Sequence, residues 1–299
     1  MDGTDEDGTG ADERPPLEVW ESPEGTVRVE IGSDIGWLLF NRPEKRNAMN
    51  PALNAEMAQA LDLLEGHEGA RVVVLTGAGE AWSAWMDLKE YFRDVEASPP
   101  HVEIAARRTS AEWQWRRLIH FAKPTIAMVN GWCFGGAYGP MFACDLAFAA
   151  EEAQFGLSEI NWGILPGGGA SKVVRELLNF RRAMYHALTG ESIDGRTAAQ
   201  WGLVNEALPL EKLEARVTSV AKTLLKKNPV ALKAAKDAIR RVGEMTYDNA
   251  EDYLVRAQEA ANFFDNEGRK EGIHQFIDEK SFKPGLGAYD KSRRQTDQV

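Results

Sequence analysis

An acidic residue among apolar neighbours is the first candidate for chemistry in this chain of 299 residues. Glu159 follows Leu157 and Ser158, and Ile160 and Trp162 come shortly after it. A carboxyl in such company can be partly desolvated, and desolvation raises its pKa toward the range in which it accepts and returns protons near neutrality. The same pattern also fits a solvent-facing side chain on a half-buried segment. Glu159 is a candidate general acid and base, and both interpretations stay open.

Two glycine-containing segments, residues 74–89 and 128–136, each follow an apolar run typical of a buried strand. Backbone N–H groups at a helix start have no partner inside the helix, and the helix dipole there favours negative charge. Two such groups directed at one point would form an oxyanion hole. The alternative is that both segments are ordinary turns whose glycines relieve backbone strain.

Patterns for several other kinds of catalytic site are missing. The five histidines lack metal-binding spacing such as H-E-x-x-H, and the chain has neither a G-x-S-x-G elbow nor a G-x-x-x-x-G-K-[ST] loop. Residues 77–82 half-match a dinucleotide fingerprint, but Trp82 stands where a third glycine would allow close helix packing. We therefore expect no metal, no P-loop phosphoryl transfer and no Rossmann cofactor site.

The composition limits the partners. With 35 Lys and Arg against 46 Asp and Glu, the formal net charge is -11, which argues against a non-specific binder of nucleic acid or anionic membranes. Much of the excess lies in an acidic tail over residues 1–17. Two cysteines, Cys133 and Cys144, are too few for a disulfide scaffold or zinc ribbon. Without a signal-peptide pattern or a long apolar run, we expect a cytoplasmic protein with no membrane contact.

The predicted elements place the candidate chemistry in the first two thirds of the chain. Strands are predicted at 27–31, 37–40, 72–75, 125–129 and 146–148, and helices from Pro51, over 102–121 and from the 134–137 turn to Cys144. This β-α-β order implies an α/β core with a largely buried sheet. After about residue 167 we predict helices at 215–226, 229–242, 248–264 and 268–276, broken only by a strand at 203–206.

Four ordered blocks resemble the crotonase (enoyl-CoA hydratase/isomerase) superfamily. They are residues 41–49 (NRPEKRNAM), 83–90 (SAWMDLKE), 130–136 (NGWCFGG) and 153–159 (AQFGLSE), and the resemblance covers about residues 18–290. Residues 86–92, 113–115, 130–136 and 157–164 are similar in finer detail to the hydroxycinnamoyl-CoA hydratase-lyases. The resemblance implies an α/β fold with a crotonase-like ββα spiral core over 18–209. It also implies a helical trimerisation region over 210–299, in a trimer or a dimer of trimers.

The resemblance also implies roles for individual residues. Backbone N–H groups of Met86 and Gly136 would hold a thioester oxygen, and Glu159 would be the acid and base. The residues implied to border CoA are Lys45, Asn47, Ala48, Ala84, Asp87, Leu88, Phe282 and Lys283, the last two reaching the CoA of a neighbouring subunit. Those implied to line the acyl pocket are Trp85, Tyr91, Trp132, Tyr138, Gly139, Tyr253 and Val255. No cofactor beyond the CoA of the substrate, and no metal, is implied.

Three positions depart from the family pattern. Gly139 stands where simple hydratases carry a second catalytic glutamate and where hydratase-lyases usually have a small hydroxyl residue. Val255 replaces a phenol-binding tyrosine, and Tyr253 lies about 200° away around a helix, so it does not simply substitute. Trp85 stands where relatives have glycine, and its indole could narrow the acyl channel or tilt the N–H of Met86.

The activity implied by the resemblance has two steps. Water adds to the double bond of a 4-hydroxycinnamoyl-CoA thioester, and retro-aldol cleavage then releases an aromatic aldehyde and acetyl-CoA. One alternative is a hydratase that stops at the β-hydroxyacyl-CoA or takes a different acyl group. Another, motivated by the three departures, is a non-catalytic CoA-binding protein.

Overall fold

The computed structural model describes residues 17–283 and 287–293. The predicted disordered tail over 1–17 therefore lies, apart from Leu17, outside the described residues. Within them, the strands are β1 (Glu18–Glu21), β2 (Val27–Gly32), β3 (Ile35–Phe40), β4 (Val72–Gly77), β5 (Ala81–Ser83), β6 (Thr125–Val129), β7 (Trp132–Phe134), β8 (Leu146–Ala150), β9 (Gln154–Gly156), β10 (Ile193–Asp194) and β11 (Glu206–Leu208).

Helices cover the sheets and fill the C-terminal third. They are α1 (Pro51–Gly66), α2 (Asp94–Glu96), α3 (Pro100–Ala111), α4 (Tyr138–Ala143), α5 (Ala170–Leu177), α6 (Phe180–Thr189), α7 (Gly195–Trp201), α8 (Leu210–Leu225), α9 (Pro229–Val242), α10 (Tyr247–Phe264) and α11 (Asn266–Ile277). Short 3₁₀ helices span Pro43–Lys45, Gly135–Ala137, Ser158–Trp162 and Lys291–Arg293, and π-helical turns span Leu88–Arg93 and Glu112–Arg117.

The strands form two sheets, which successive turns of the chain build up as a spiral. The larger has the order β1-β2-β3-β4-β6-β8-β11, in which β3 through β11 run parallel, and the smaller has the order β10-β9-β7-β5. In three successive turns, a long strand of the large sheet is followed by a short strand of the small one, and helical structure leads to the next turn. This is the predicted α/β core of repeated ββα turns.

Local sequence explains the first turn of the spiral. Every residue of β4 is buried, as a central parallel strand covered on both faces requires. The side chain of Asn50 caps α1 by accepting a hydrogen bond from the backbone N–H of Leu53 (2.9 Å), and Pro51 supplies the fixed φ of a first helical residue. The predicted apolar face of α1 is confirmed, since Leu53, Met57, Leu61 and Leu64 are all buried.

The strand predicted at 203–206 is wrong by about three residues. Leu203 and Val204 are buried in a turn, and Asn205 pairs with Ala147 through its side-chain oxygen and its backbone N–H (both 2.8 Å) before β11 begins at Glu206. The prediction of a single strand after residue 167 is also wrong, because β10 pairs with β9. Two residues are too few to show an alternating pattern.

The C-terminal helices follow the prediction closely, although α8 begins at Leu210 rather than Ala215. They leave large apolar side chains exposed on α10 and α11, among them Val255, Phe263, Phe264 and Ile277. None of the described helices is both long and apolar enough to cross a bilayer.

Candidate functional site

The loop after β5 carries the first candidate N–H group. Met49 and Met86 form a parallel bridge in which the N–H of Met49 donates to the carbonyl of Trp85 (2.8 Å) and the N–H of Asp87 donates to the carbonyl of Met49 (2.8 Å). In such a pairing the N–H of the middle residue points away from the partner strand. Accordingly, the N–H of Met86 has no acceptor among the described residues.

Asn47 holds the turn between β4 and β5, which precedes this loop. Its side-chain amide donates to the carbonyls of Ala78 (2.9 Å) and Ala81 (2.7 Å), and its side-chain oxygen accepts from the N–H of Arg42 (2.9 Å). The residue is fully buried, and its φ of 57° is a left-handed conformation that asparagine tolerates better than most residues. Asn47 was predicted to border CoA; the contacts within this chain give it a structural role.

Asn130 connects the two glycine-containing segments, residues 74–89 and 128–136. Its side-chain amide donates to the carbonyls of Gly77 (3.0 Å) and Gly79 (2.8 Å), and its side-chain oxygen accepts from the N–H of Gly77 (3.3 Å). The turn after β4 and the turn after β6 are therefore held side by side by one side chain.

The second candidate N–H lies in the 3₁₀ helix Gly135–Ala137, which follows β7. The first N–H groups of a helix have no partner inside it. A Cβ added to Gly136 would lie 3.6 Å from Cγ of Met86, and a Cβ added to Gly135 would lie 2.6 Å from Oε1 of Glu159. The three residues predicted to be catalytic, Met86, Gly136 and Glu159, are thus brought together.

Glu159 is buried, which resolves the choice that the sequence left open. It lies in the 3₁₀ helix Ser158–Trp162, and only 1% of the residue is exposed. Neither carboxyl oxygen has a hydrogen-bond partner in the described part of the chain. Burial raises the pKa of this carboxyl from its ordinary 4.5 to about 7. A carboxyl with this pKa can both take up and release a proton at neutral pH.

Trp85 occupies the space beside the two candidate N–H groups. Its φ is 91°, its side chain is buried, and its ring packs against Phe92 at a centroid distance of 5.1 Å. Phe92 in turn makes an edge contact with Tyr91, so the rings of Trp85, Phe92 and Tyr91 form a continuous row along the π-helical turn. Tyr91 and Trp85, both predicted pocket residues, therefore belong to one aromatic wall.

Gly139 has little room around it. A Cβ there would lie 3.3 Å from Oε1 of Gln114, 3.3 Å from the ring of Trp115 and 3.4 Å from the carbonyl of Gly168. The indole N–H of Trp113 can only donate, so the atom of Asn54 that it contacts (2.8 Å) must be the oxygen Oδ1. The side-chain amide of Gln114 therefore turns its nitrogen toward this same oxygen. Gln114 belongs to the motif at 113–115, and nothing in its sequence context marks it as a neighbour of Gly139.

Tyr138 has a partner that the sequence did not reveal. Its hydroxyl lies 2.8 Å from Nε2 of His186 on α6, and both side chains are fully buried. Burial raises the pKa of Tyr138 well above its ordinary value and lowers that of His186 to about 4. The only signal in the sequence is the position of His186 on the face of α6 that also carries Ala183.

An ion-pair cluster supports the segment predicted to border CoA. Oδ1 of Asp87 accepts from the N–H groups of Lys89 (3.0 Å) and Glu90 (2.9 Å), and Arg42 lies 3.2 Å from the other oxygen. Burial alone would raise the pKa of Asp87, but these contacts outweigh it and lower the pKa. Arg42 also pairs with Glu90 (3.1 Å). Asp87 thus caps the π-helical turn.

The other residues predicted to border CoA lie nearer the surface. Lys45 and Leu88 are exposed, and Ala48 and Ala84 are half-buried. Trp132 is exposed and stacks on Phe134 (5.3 Å), with the guanidinium of Arg46 over its ring (5.3 Å). The ring contacts of Trp132 are therefore with Phe134 and the block at 41–49 rather than with Glu159.

The C-terminal candidates are not joined to Glu159 by contacts within this chain. Val255 is exposed on α10, Tyr253 is half-buried on the same helix, and Phe282 packs on Phe276 (5.4 Å) while Lys283 is exposed. Their predicted roles in the acyl pocket and at CoA stay predictions. The described residues also contain no cluster of three or more His, Cys, Asp or Glu side chains able to hold a metal ion.

Known proteins share this sequence and fold. Residues 30–284 match the family model of enoyl-CoA hydratase/isomerase. Hydroxycinnamoyl-CoA hydratase-lyase from Pseudomonas fluorescens is 51% identical over 274 residues, which span 91% of this chain and 99% of that protein. A probable enoyl-CoA hydratase from Mycobacterium bovis is 30% identical over 256 residues, spanning 86% of this chain and 96% of that protein.

Solved structures of enoyl-CoA hydratases have the same fold as this chain. Enoyl-CoA hydratase from Bacillus anthracis has a TM-score of 0.77 at 27% identity, covering 85% of this chain and 96% of that one. Enoyl-CoA hydratase from Mycobacterium tuberculosis has a TM-score of 0.72 at 29% identity, with the same coverage. The matched family model spans most of the chain, and the fold is the crotonase fold. The chain belongs to the enoyl-CoA hydratase/isomerase family of enzymes.

Proposed function

We propose that this enzyme is a hydroxycinnamoyl-CoA hydratase-lyase, which converts a 4-hydroxycinnamoyl-CoA thioester (feruloyl-, coumaroyl- or caffeoyl-CoA) into an aromatic aldehyde and acetyl-CoA. The observation that carries the proposal is the buried Glu159 carboxyl, with no hydrogen-bond partner among the described residues, directly beside Gly135. The similarity to the Pseudomonas fluorescens hydratase-lyase supports the choice of reaction.

In the first step, the thioester carbonyl accepts hydrogen bonds from the N–H groups of Met86 and Gly136. The Glu159 carboxylate removes a proton from water as the oxygen bonds to the β-carbon. The electron pair of the double bond moves onto the thioester oxygen, where the two N–H groups stabilise the enolate. Glu159 then returns the proton to the α-carbon, which gives the β-hydroxy thioester.

In the second step, the β-hydroxyl loses its proton to Glu159 and the bond between the α- and β-carbons breaks. The β-carbon leaves as the aldehyde, and the electron pair forms the enolate of acetyl-CoA in the same oxyanion hole. Protonation of the α-carbon completes acetyl-CoA. An electron-rich ring on the β-carbon favours this cleavage. The thioester serves as the electron sink, so this mechanism uses neither a metal nor a redox cofactor.

The CoA part lies along the segments 45–48 and 84–88, against Lys45, Asn47, Ala48, Ala84, Asp87 and Leu88. Phe282 and Lys283 reach the CoA of a neighbouring subunit in a trimer or dimer of trimers. The exposed apolar side chains of α10 and α11 support such an assembly, because large exposed apolar patches mark interaction surfaces. The enzyme acts in the cytoplasm, without nucleic acid or membrane partners.

The acyl group lies against the aromatic wall of Trp85 and Tyr91, with Tyr138 and Gly139 on the opposite helix. The ring end lacks the phenol-binding tyrosine that Val255 replaces. Trp132, Tyr253 and Val255 complete the pocket in the assembled protein.

A substrate screen tests the proposal. Crotonyl, cinnamoyl, coumaroyl, caffeoyl and feruloyl thioesters are each incubated with the enzyme, and hydroxyacyl-CoA, aldehyde and acetyl-CoA are quantified separately. We expect vanillin and acetyl-CoA in equal amounts from feruloyl-CoA, and hydration without cleavage at most from crotonyl-CoA. Hydroxyacyl-CoA from feruloyl-CoA with no aldehyde rules out the lyase step.

A hydratase without lyase activity is the second candidate. Val255 in place of the phenol-binding tyrosine favours it, because a substrate ring that is bound more weakly is less well positioned for the retro-aldol step. This candidate predicts turnover of crotonyl-CoA at least as fast as that of feruloyl-CoA. The same screen separates the two functions by their products. Absence of turnover for every thioester would instead favour a non-catalytic CoA-binding protein.

A further inference from the structure

An indole and a carboxyl meet at one point in the site. A Cβ placed on Gly135 would lie 2.6 Å from Oε1 of Glu159, 2.6 Å from Cδ1 of Trp85 and 2.8 Å from Nε1 of the same indole. The indole also covers Gly136, where an added Cβ would lie 3.1 Å from Cδ1. Atoms of the Trp85 indole and of the Glu159 carboxyl therefore both lie beside Gly135.

The backbone of Trp85 is held in a conformation that bulky residues avoid. Its φ of 91° falls in the region that favours glycine. The hydrogen bond from Met49 to the Trp85 carbonyl (2.8 Å) and the packing of the indole on Phe92 hold it there. Strained backbone of this kind persists only where the surroundings enforce it, and it concentrates at functional sites.

We propose that Trp85 is a positioning residue for Glu159, whose indole lies beside the carboxyl at Gly135 and keeps bulk water away from it. Trp85 itself is only 7% exposed, and Glu159 only 1%. The indole lies with the carboxyl against Gly135, so we expect its removal to let water reach Glu159.

Charge does not explain the state of this carboxyl. The titratable group that interacts with it is Tyr138 on α4, whose own neighbours are His186 on α6 and Cys133 on β7. No lysine, arginine or other carboxylate among the described residues acts on the pKa of Glu159, and burial is the main cause of its rise to about 7. Trp85 therefore acts on this pKa through the access of water to the carboxyl.

The test is a titration of the Glu159 carboxyl by ¹³C NMR in protein labelled at the glutamate carboxyls, with the signal assigned by its loss in Glu159→Gln. We expect Trp85→Gly and Trp85→Ala each to lower the pKa of Glu159 by at least about one unit, a tenfold change in proton affinity. Trp85→Phe retains an aromatic cover and should leave the pKa within about 0.3 unit of the wild-type value.

The alanine and glycine variants distinguish the loss of the indole from the relief of backbone strain at residue 85. Glycine relieves the backbone at φ 91° and alanine does not, whereas both remove the indole. A fall in both variants supports the covering role. A fall in glycine alone, or in neither, contradicts it. Trp162→Ala is the matched control, because this tryptophan lies in the same 3₁₀ helix as Glu159 but is 57% exposed, and it should leave the titration unchanged.

The catalytic consequence rests on the proposed function. Glu159 acts as a base only when ionised, so the acidic limb of the pH profile of kcat/KM should move to lower pH in Trp85→Gly and stay in place in Trp85→Phe. The titration needs no substrate. If the wild-type enzyme turns over no thioester, the proposed function fails, and the titration still decides the role of Trp85.

Discussion

The hydroxyl of Tyr138 lies 2.8 Å from Nε2 of His186, and this contact joins α4, the helix after Gly135 and Gly136, to α6 inside the core. Burial lowers the pKa of His186 to about 4, so the imidazole is neutral at physiological pH and shares a hydrogen bond with the tyrosine hydroxyl. The pair anchors α4, which begins at Tyr138, two residues after Gly136.

This pair predicts a loss of stability in acid. The unfolded chain takes up a proton on His186 near pH 6.5, whereas the folded protein does so only near pH 4. The free energy of unfolding should therefore fall with pH between these values, by up to about 3 kcal/mol from this residue. In His186→Leu that part of the slope should disappear. Urea denaturation from pH 4 to 7 measures it, with the exposed His101→Leu as control. Equal slopes in wild type and His186→Leu would argue against a buried neutral histidine.

Glu159 should have the opposite effect on stability. Its pKa rises from 4.5 to about 7 on folding, so the favourable contribution of the buried acid is complete below pH 4.5 and is lost as the pH rises through 7. Relative to wild type, Glu159→Gln should gain up to about 3 kcal/mol between pH 4.5 and pH 8. Denaturation at several pH values, with the exposed Glu80→Gln as control, tests this. A stability difference that does not change with pH contradicts the burial of an ionisable carboxyl.

Asn47 is expected to be a structural residue first. Asn47→Ala removes three side-chain hydrogen bonds from a fully buried site and should lower the free energy of unfolding by about 2–4 kcal/mol. Asn41→Ala, which removes a single bond to the carbonyl of Gly25, should cost about 1 kcal/mol. Denaturation without any ligand is the measurement. Unchanged stability of Asn47→Ala would show that its importance lies in CoA binding alone.

The long elements could be predicted from sequence because their burial shows in the residue pattern. The continuous apolar run of β4 and the helical spacing from Leu53 to Leu64 each point to one structure. The strands of the small sheet have two or three residues, too few for any pattern, so β5, β7, β9 and β10 were not anticipated.

The residues that complete the site depend on contacts far apart in the chain. The Tyr138–His186 pair spans 48 positions, and the contact between Trp113 and Asn54 spans 59. The sequence indicated that Trp85 is unusual but not the left-handed backbone that it adopts. It also left the burial of Glu159 undecided, because neighbouring apolar residues do not show which way a side chain in a short helix points.

The rate of hydration by Glu159→Gln tests the central claim most directly. The amide has nearly the shape of the carboxyl but cannot take up the proton of the attacking water. With feruloyl-CoA we expect the hydration rate to fall by about a hundredfold or more, while the affinity for acetyl-CoA stays close to that of the wild type. A hydration rate within about tenfold of wild type, about 1.4 kcal/mol in the barrier, would contradict the assignment of Glu159 as the acid and base.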